Sequence, residues 1–272
     1  IVSVSADSFN FNSYNNHGVV GLINMPTARL YEESAFGLTI YDGTPDQKII
    51  LTSNPFNWME ASFFYASVQN RRYCTVSSDP VCKQDYKDKG FNLKLRLKEE
   101  GIFPALAVGL NDFAGTGLYS SEYIVGSYGK NNLDIHFGLG WGAINSLEHG
   151  IKNPLRYLDD RFLDRPKEFG QGGEFESNRY FSGKEASPFF GIAYSLNKNI
   201  LIKVERDTTS ENFNIKYKNP SSEYSFGIDY AISDNFTIGL SHERGAYSSV
   251  KLIYKNNPKL SVKKYKYQKA AD

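Results

Sequence analysis

The stretch "NNLDIHFGLGWGAI", residues 131–144, sets Leu133, Ile135, Phe137, Leu139 and Trp141 on every second position, with Asn132, Asp134, His136, Gly138 and Gly140 between them. A period of two puts the two sets on opposite faces of a β-strand. The fold turns on what the apolar face meets: a protein core in a soluble sheet, lipid in a membrane barrel.

The same alternation runs through most of the chain. Phe91, Leu93, Leu95 and Leu97 alternate with Asn92, Lys94, Arg96 and Lys98; Phe190, Ile192, Tyr194 and Leu196 with Gly191, Ala193 and Ser195; Tyr224, Phe226, Ile228, Tyr230 and Ile232 with Ser225, Gly227, Asp229 and Ala231. Nothing comparable recurs at helical spacing. Candidate strands fall at about 35–43, 47–53, 57–69, 90–99, 104–111, 118–128, 132–142, 187–196, 199–207, 223–232, 235–244 and 247–255. Their connections alternate between tight links ("EEGIFP", "YGKNN", "SLNKN", "AISDN") and longer polar ones, as in an up-and-down membrane barrel with short turns on one rim and long loops on the other. Counting "NFNIKYK", 212–218, as a strand would make the total odd, so 208–222 reads as an outer loop and the barrel as twelve-stranded.

Composition agrees with this reading. The chain has 272 residues, with 19 Tyr, 19 Phe and 23 Gly against 2 Met, which suits many short strands. A mean hydropathy of −0.45 does not oppose a barrel, which shows lipid only alternate residues. No apolar run of about 20 residues is present to form a membrane helix. With 31 basic and 30 acidic residues the net charge is +1, so no field recruits nucleic acid. Cys74 and Cys82, the only cysteines, lie eight apart in a polar stretch and predict a short disulfide loop.

What separates lipid from core is the company kept by the polar face. Gly138, Gly140, Ala105, Ala107, Gly109, Gly191, Ala193, Gly227 and Gly239 suit a crowded interior, while Trp58, Tyr128, Trp141, Tyr194, Tyr224 and Tyr254 sit at strand ends where an interfacial girdle is expected. With the apolar set outward, the luminal charges are Glu60, Lys94, Arg96, Lys98, Glu122, Asp134, His136, Lys203, Glu205, Asp229, Glu243 and Lys251. Both signs are present and are expected to pair, because a lone desolvated charge is costly.

Three parts follow: a periplasmic or plug segment over 1–34, a barrel over 35–256 with long outer loops at 70–90, 142–186 and 208–222, and a periplasmic tail over 257–272. The stretch "HGVVGLINMPTARLYEES", 17–34, is too apolar for a free tail and too broken by Gly and Pro26 for a regular element. It is expected to dock in or under the barrel through Asn24, Pro26 and Arg29, with Arg29 reaching a luminal carboxylate. The loop 142–186 mixes Tyr157, Phe162 and Tyr180 with Arg156, Arg161, Arg165 and Arg179, a combination that serves either glycan contact or a lid held by Arg–carboxylate pairs. Asp159, Asp160 and Asp164 follow no recognised calcium-loop pattern, and no metal or cofactor is expected. Ser241, His242 and Glu243 are adjacent, so their side chains cannot converge on one face, and the chain reads as non-enzymatic.

The stretches "GLINMPTARL", "FNLKLRLKEEGIFPALAVGLNDFAGTGLYSSEYIVGS", "LDIHFGLGWG" and "LSHERG" resemble, in order, those of the YjbH-like (GfcD-like) outer-membrane proteins, over about residues 17–255. The resemblance implies an outer-membrane barrel of a Gram-negative bacterium that assists export or surface assembly of exopolysaccharide or capsule. Its partners would be outer-membrane lipid or lipopolysaccharide, the polysaccharide and proteins of the export locus. Larger members resemble two tandem barrels; this chain has room for one. The alternatives are a passive small-solute channel and a surface scaffold.

Overall fold

In the computed structural model, which describes residues 11–73, 83–145, 150–166, 177–210 and 220–260, the alternating stretches become antiparallel strands. These are β1 (Phe36–Asp42), β2 (Asp46–Phe56), β3 (Met59–Arg72), β4 (Asp85–Lys98), β5 (Ala105–Asn111), β6 (Ser121–Lys130), β7 (Leu133–Gly142), β8 (Ile151–Lys152), β9 (Glu185–Ser195), β10 (Ile200–Arg206), β11 (Tyr224–Ala231), β12 (Phe236–Glu243) and β13 (Tyr247–Asn256). Each pairs with its neighbour, β9 follows β7 directly, and β13 pairs back with β1 to close the barrel. The two-residue β8 is an appendage on the start of β9, which leaves twelve strands in the wall. Closure satisfies every ladder and leaves no open edge, the condition for a sheet to span lipid.

The opening stretch answers its own question. On β7, Ile135 and Phe137 are 46% and 53% exposed, while Asp134 and His136 are 0% and 2% exposed. Charge is inside and apolar surface outside, the reverse of a water-soluble barrel. The same inversion holds on β11, where Phe226 and Tyr230 are exposed and Asp229 is buried. On the short-turn rim, the Asn131–Asn132 link places Asn131 at φ 54, a left-handed conformation that Asn tolerates in tight hairpins. The long connections all lie on the other rim, although the β1–β2 and β12–β13 links there are also tight.

Residues 12–31 are bonded by side chains from the polar faces of the strands. Bridges Tyr14–Val20 and Gly21–Pro26 fold them into a compact double turn, and Tyr14, Val20, Leu22, Ile23 and Met25 are each at most 1% exposed. Bare glycines on the inward face make room: a Cβ on Gly37 would lie 2.3 Å from the Tyr14 ring, and one on Gly191 would lie 2.3 Å from Leu22 Cδ1. The small residues on the polar face thus meet a filled interior.

Three sequence expectations change. Glu122 is paired opposite Trp141 and keeps step with outward Ile124, so it lies on the outward face. It is buried because the loop after β7 folds over the upper wall, with Arg165 and the Phe181 amide on its carboxylate. The same cover buries Trp141 to 1% exposure against Phe181, which removes it from the aromatic girdle. Lys98 follows a register shift between Arg96 and Lys98, is exposed at the short-turn rim, and stands over the Phe103 ring. The expected Cys74–Cys82 disulfide lies outside the described residues.

Candidate functional site

The inward faces of the strands carry a set of polar groups that meet residues 12–31 at three heights. Near the short-turn rim, Arg29 makes a two-point contact with Asp134 (2.8 and 2.7 Å) and also reaches Glu100, which accepts the Gly129 amide as well. Asp134 is fully buried, so the fork geometry of the guanidinium supplies both charge and hydrogen bonds where water cannot.

At mid-height, Lys94 pairs with Glu60 at 2.8 Å, Glu60 accepts the Val20 amide, and Lys94 donates to the Val20 carbonyl. One wall pair thereby satisfies both backbone groups of a single buried residue. Lys203 pairs with Asp229 at 2.6 Å and donates to the Gly21 and Leu22 carbonyls, with Lys251 3.8 Å from the same carboxylate. Ser127 accepts the Ala28 amide at 2.8 Å and bonds His136 Nδ1, also at 2.8 Å, while His136 Nε2 stands 3.6 Å from Asp134.

Toward the long-loop rim, Glu205 accepts three successive amides, from Ile23, Asn24 and Met25, at 2.9, 2.8 and 3.1 Å. The Asn24 amide group donates to Asp207 and Glu243, both at 2.8 Å, and its oxygen accepts from Asn16. Above this turn the space bounded by His17, Asn24, Tyr41, Lys48, Tyr119 and Arg244 is about 40 Å³, room for a few waters. At the short-turn rim a cleft of about 400 Å³ lies between Phe11, Tyr31, Lys198, Asp234, Asn235 and Lys255.

Of the expected luminal charges, Glu60, Lys94, Asp134, Lys203, Glu205 and Glu243 bond one segment directly, while His136 stands behind Ser127 and Asp134, and Asp229 and Lys251 behind Lys203. Arg96 lies apart, at the rim with Asn57 and Glu99, so Lys94, Arg96 and Lys98 do not form a continuous basic stripe. Sequence reading missed Ser127, Asp207 and Glu100. The first two continue the inward parity of Val125 and Glu205 and were open to detection; Glu100 lies in a turn, where parity says nothing.

The loop residues divide. Arg165 binds Glu122 and the Ser120 and Arg179 carbonyls, Tyr180 donates to the Phe113 carbonyl at 2.6 Å, and the Asn153 amide donates to the Phe162, Phe181 and Gly183 carbonyls. The Arg165 and Tyr180 bonds hold the loop on the wall and those of Asn153 close it on itself. Arg156, Tyr157 and Arg161 instead form its outer surface, where Arg156 stacks over Tyr157 and Arg161 binds Asp159. Those hydrogen bonds hold the exposed Asp159 carboxyl down at about 2. Ser241 bonds Glu243 inside the wall while the outward His242 bonds Ser248, so those three neighbours do not converge.

The YjbH family model, described as "Exopolysaccharide biosynthesis protein YbjH", matches residues 13–271. An Escherichia coli (strain K12) protein described as "Uncharacterized lipoprotein YjbH" is 34% identical over 237 residues, 86% of this chain and 33% of the relative. The chain thus spans about a third of that relative's length. Among solved structures, the NanC porin in a rhombohedral crystal form aligns with TM-score 0.39 and 9% identity over 82% of this chain and 98% of that one. The KdgM porin in complex with disordered oligogalacturonate aligns with TM-score 0.40 and 8% identity over 81% and 97%.

Proposed function

The chain belongs to the YjbH family of exopolysaccharide biosynthesis proteins, and from that premise we propose a Gram-negative outer-membrane barrel that assists export or surface assembly of exopolysaccharide or capsule without chemistry of its own. The observation that carries the accessory role is the occupied lumen: residues 12–31 act as a plug, each turn of which is held by a buried charge on the wall. A free solute channel needs a continuous wet path, and Glu60, Lys94, Asp134, Lys203, Glu205 and Glu243 on the wall all bond the segment that would have to leave it. The Ser127–His136–Asp134 group serves the plug in the same way, since its hydroxyl is fully buried and bound to Ala28.

The polysaccharide, lipopolysaccharide and export-locus proteins are the partners this role requires, and the outer loop face of Arg156, Tyr157 and Arg161 is the surface offered for glycan contact. Two measurements test the proposal together. Deletion of the gene in its own host should reduce extracellular polysaccharide, and the purified barrel should be silent in a planar bilayer. Ohmic conductance with unchanged polysaccharide would replace the accessory role with that of a passive channel.

A further inference from the structure

A second group of buried carboxylates lies at the long-loop rim, apart from the plug contacts. Asp88 on β4 and Asp112 just after β5 are each 2% exposed. Asp112 adopts φ 51, which breaks strand parity and turns its side chain inward. Its Oδ2 accepts the Tyr119 amide and Asp88 Oδ1 accepts the Thr116 hydroxyl, so both brace the loop "DFAGTGLY", 112–119. The other oxygen of each carboxylate, Asp88 Oδ2 and Asp112 Oδ1, is buried with no hydrogen-bond partner.

Two bare backbone positions border the orphaned oxygen. A Cβ on Gly90 would lie 2.2 Å from Asp112 Oδ1, and one on Gly115 would lie 1.7 Å from it and 2.7 Å from the Lys89 carbonyl oxygen. Asp112 Oδ1 and the Lys89 carbonyl oxygen thus border the same bare position at Gly115, with the Asp88 carboxylate near enough to push the Asp112 carboxyl up. Two buried carboxylates side by side need a positive counter-charge or a retained proton. Of the neighbouring cations, Lys48 pairs with Asp46 at 3.0 Å and stands over the Tyr119 ring, Arg71 stands over the Tyr86 ring, and Arg179, which also acts on Asp112, donates to the Pro166 carbonyl. Arg71 Nη1 is itself without a hydrogen-bond partner, which makes an Asp88–Arg71 ion pair the rival arrangement.

We propose that Asp88, Asp112 and the Lys89 carbonyl form a binding site for a hard divalent cation, calcium, that locks the 112–119 loop to the outer rim. All-oxygen donors select calcium over softer metals. Among the described residues no three His, Cys, Asp or Glu side chains converge, so water completes the shell and the affinity falls in the extracellular range, about 0.1–1 mM.

The test uses the full chain, refolded in detergent free of lipopolysaccharide and stripped with EDTA. Calcium should raise the melting temperature with a midpoint of about 0.1–1 mM, and Asp112→Asn and Asp88→Asn should each abolish the rise. Terbium luminescence sensitised by tyrosine and displaced by calcium gives a readout on the wild type alone, should either variant fail to fold. No calcium response up to 10-fold above that range, or an equal response in wild type and both variants, would overturn the site. A calcium-independent loss of stability in Asp88→Asn matched by Arg71→Gln would assign the counter-charge to Arg71 instead.

Discussion

Replacing Arg29 with alanine removes the cation that neutralises Asp134 and Glu100 together. Asp134 is fully buried, Arg29 and Glu100 are 16% and 12% exposed, and the two-point contact is 2.8 and 2.7 Å. Leaving a buried carboxylate without its partner costs about 3–5 kcal/mol, far more than an exposed ion pair is worth. The cost falls on the docked state of residues 12–31, because undocking lets water reach Asp134. Its readout is hydrogen exchange at the Val20, Ile23, Asn24 and Met25 amides, all bonded to wall carboxylates. At about 1.4 kcal/mol per tenfold, exchange in Arg29→Ala should accelerate by about 140- to 4,000-fold. Asp134→Asn in the same chain should restore much of the protection, since the neutral amide needs no counter-charge. Exchange within twofold of wild type, or strictly additive single and double variants, would refute the reasoning.

Three further outcomes follow from the geometry. Gly191→Val should speed exchange of the same amides, because its Cβ would meet Leu22 Cδ1 at 2.3 Å and the Val204 carbonyl at 2.8 Å, an overpacking cost of about 1–3 kcal/mol; unchanged exchange would show that the segment does not pass Gly191. Brominated lipids should quench Trp58, 51% exposed on the short-turn rim, and spare Trp141 under its loop, as measured in Trp141→Phe and Trp58→Phe respectively; equal quenching would contradict the loop's cover. In EDTA, the stability of the barrel should fall as pH rises from about 4 to about 8 through Asp112, whose carboxyl burial and then Asp88 push up to about 8. The folded state there keeps a proton that the unfolded chain, with its carboxyl near 3.9, has already lost. Asp112→Asn should flatten that slope in thermal melts at stepped pH, and a parallel slope in the variant would assign the effect elsewhere.

Much of this architecture is written in local patterns. Period two on residues 133–141 assigns Asp134 and His136 to one face and Ile135 and Phe137 to the other, and its recurrence between turn signals counts the strands. The apolar breadth of 19–30 announces a segment that must be covered, and Arg29 among them announces a carboxylate partner. Parity misleads where something local or distant intervenes. The register shift after Arg96 moves Lys98 out to the rim, and the loop after β7 buries Glu122 and Trp141 from outside.

By itself, then, the sequence determined the barrel class and the two faces of strands such as β7, because side-chain alternation and turn chemistry are set within a few residues. Only the tertiary structure decided which charges meet. Arg29 with Asp134, Asn24 with Glu243 and Lys203 with the Leu22 carbonyl are joined across more than 100 residues each, and the convergence of Asp88 and Asp112 hangs on one residue at φ 51. Those distances are set by barrel closure and inter-strand register, properties of the whole sheet that no local window contains.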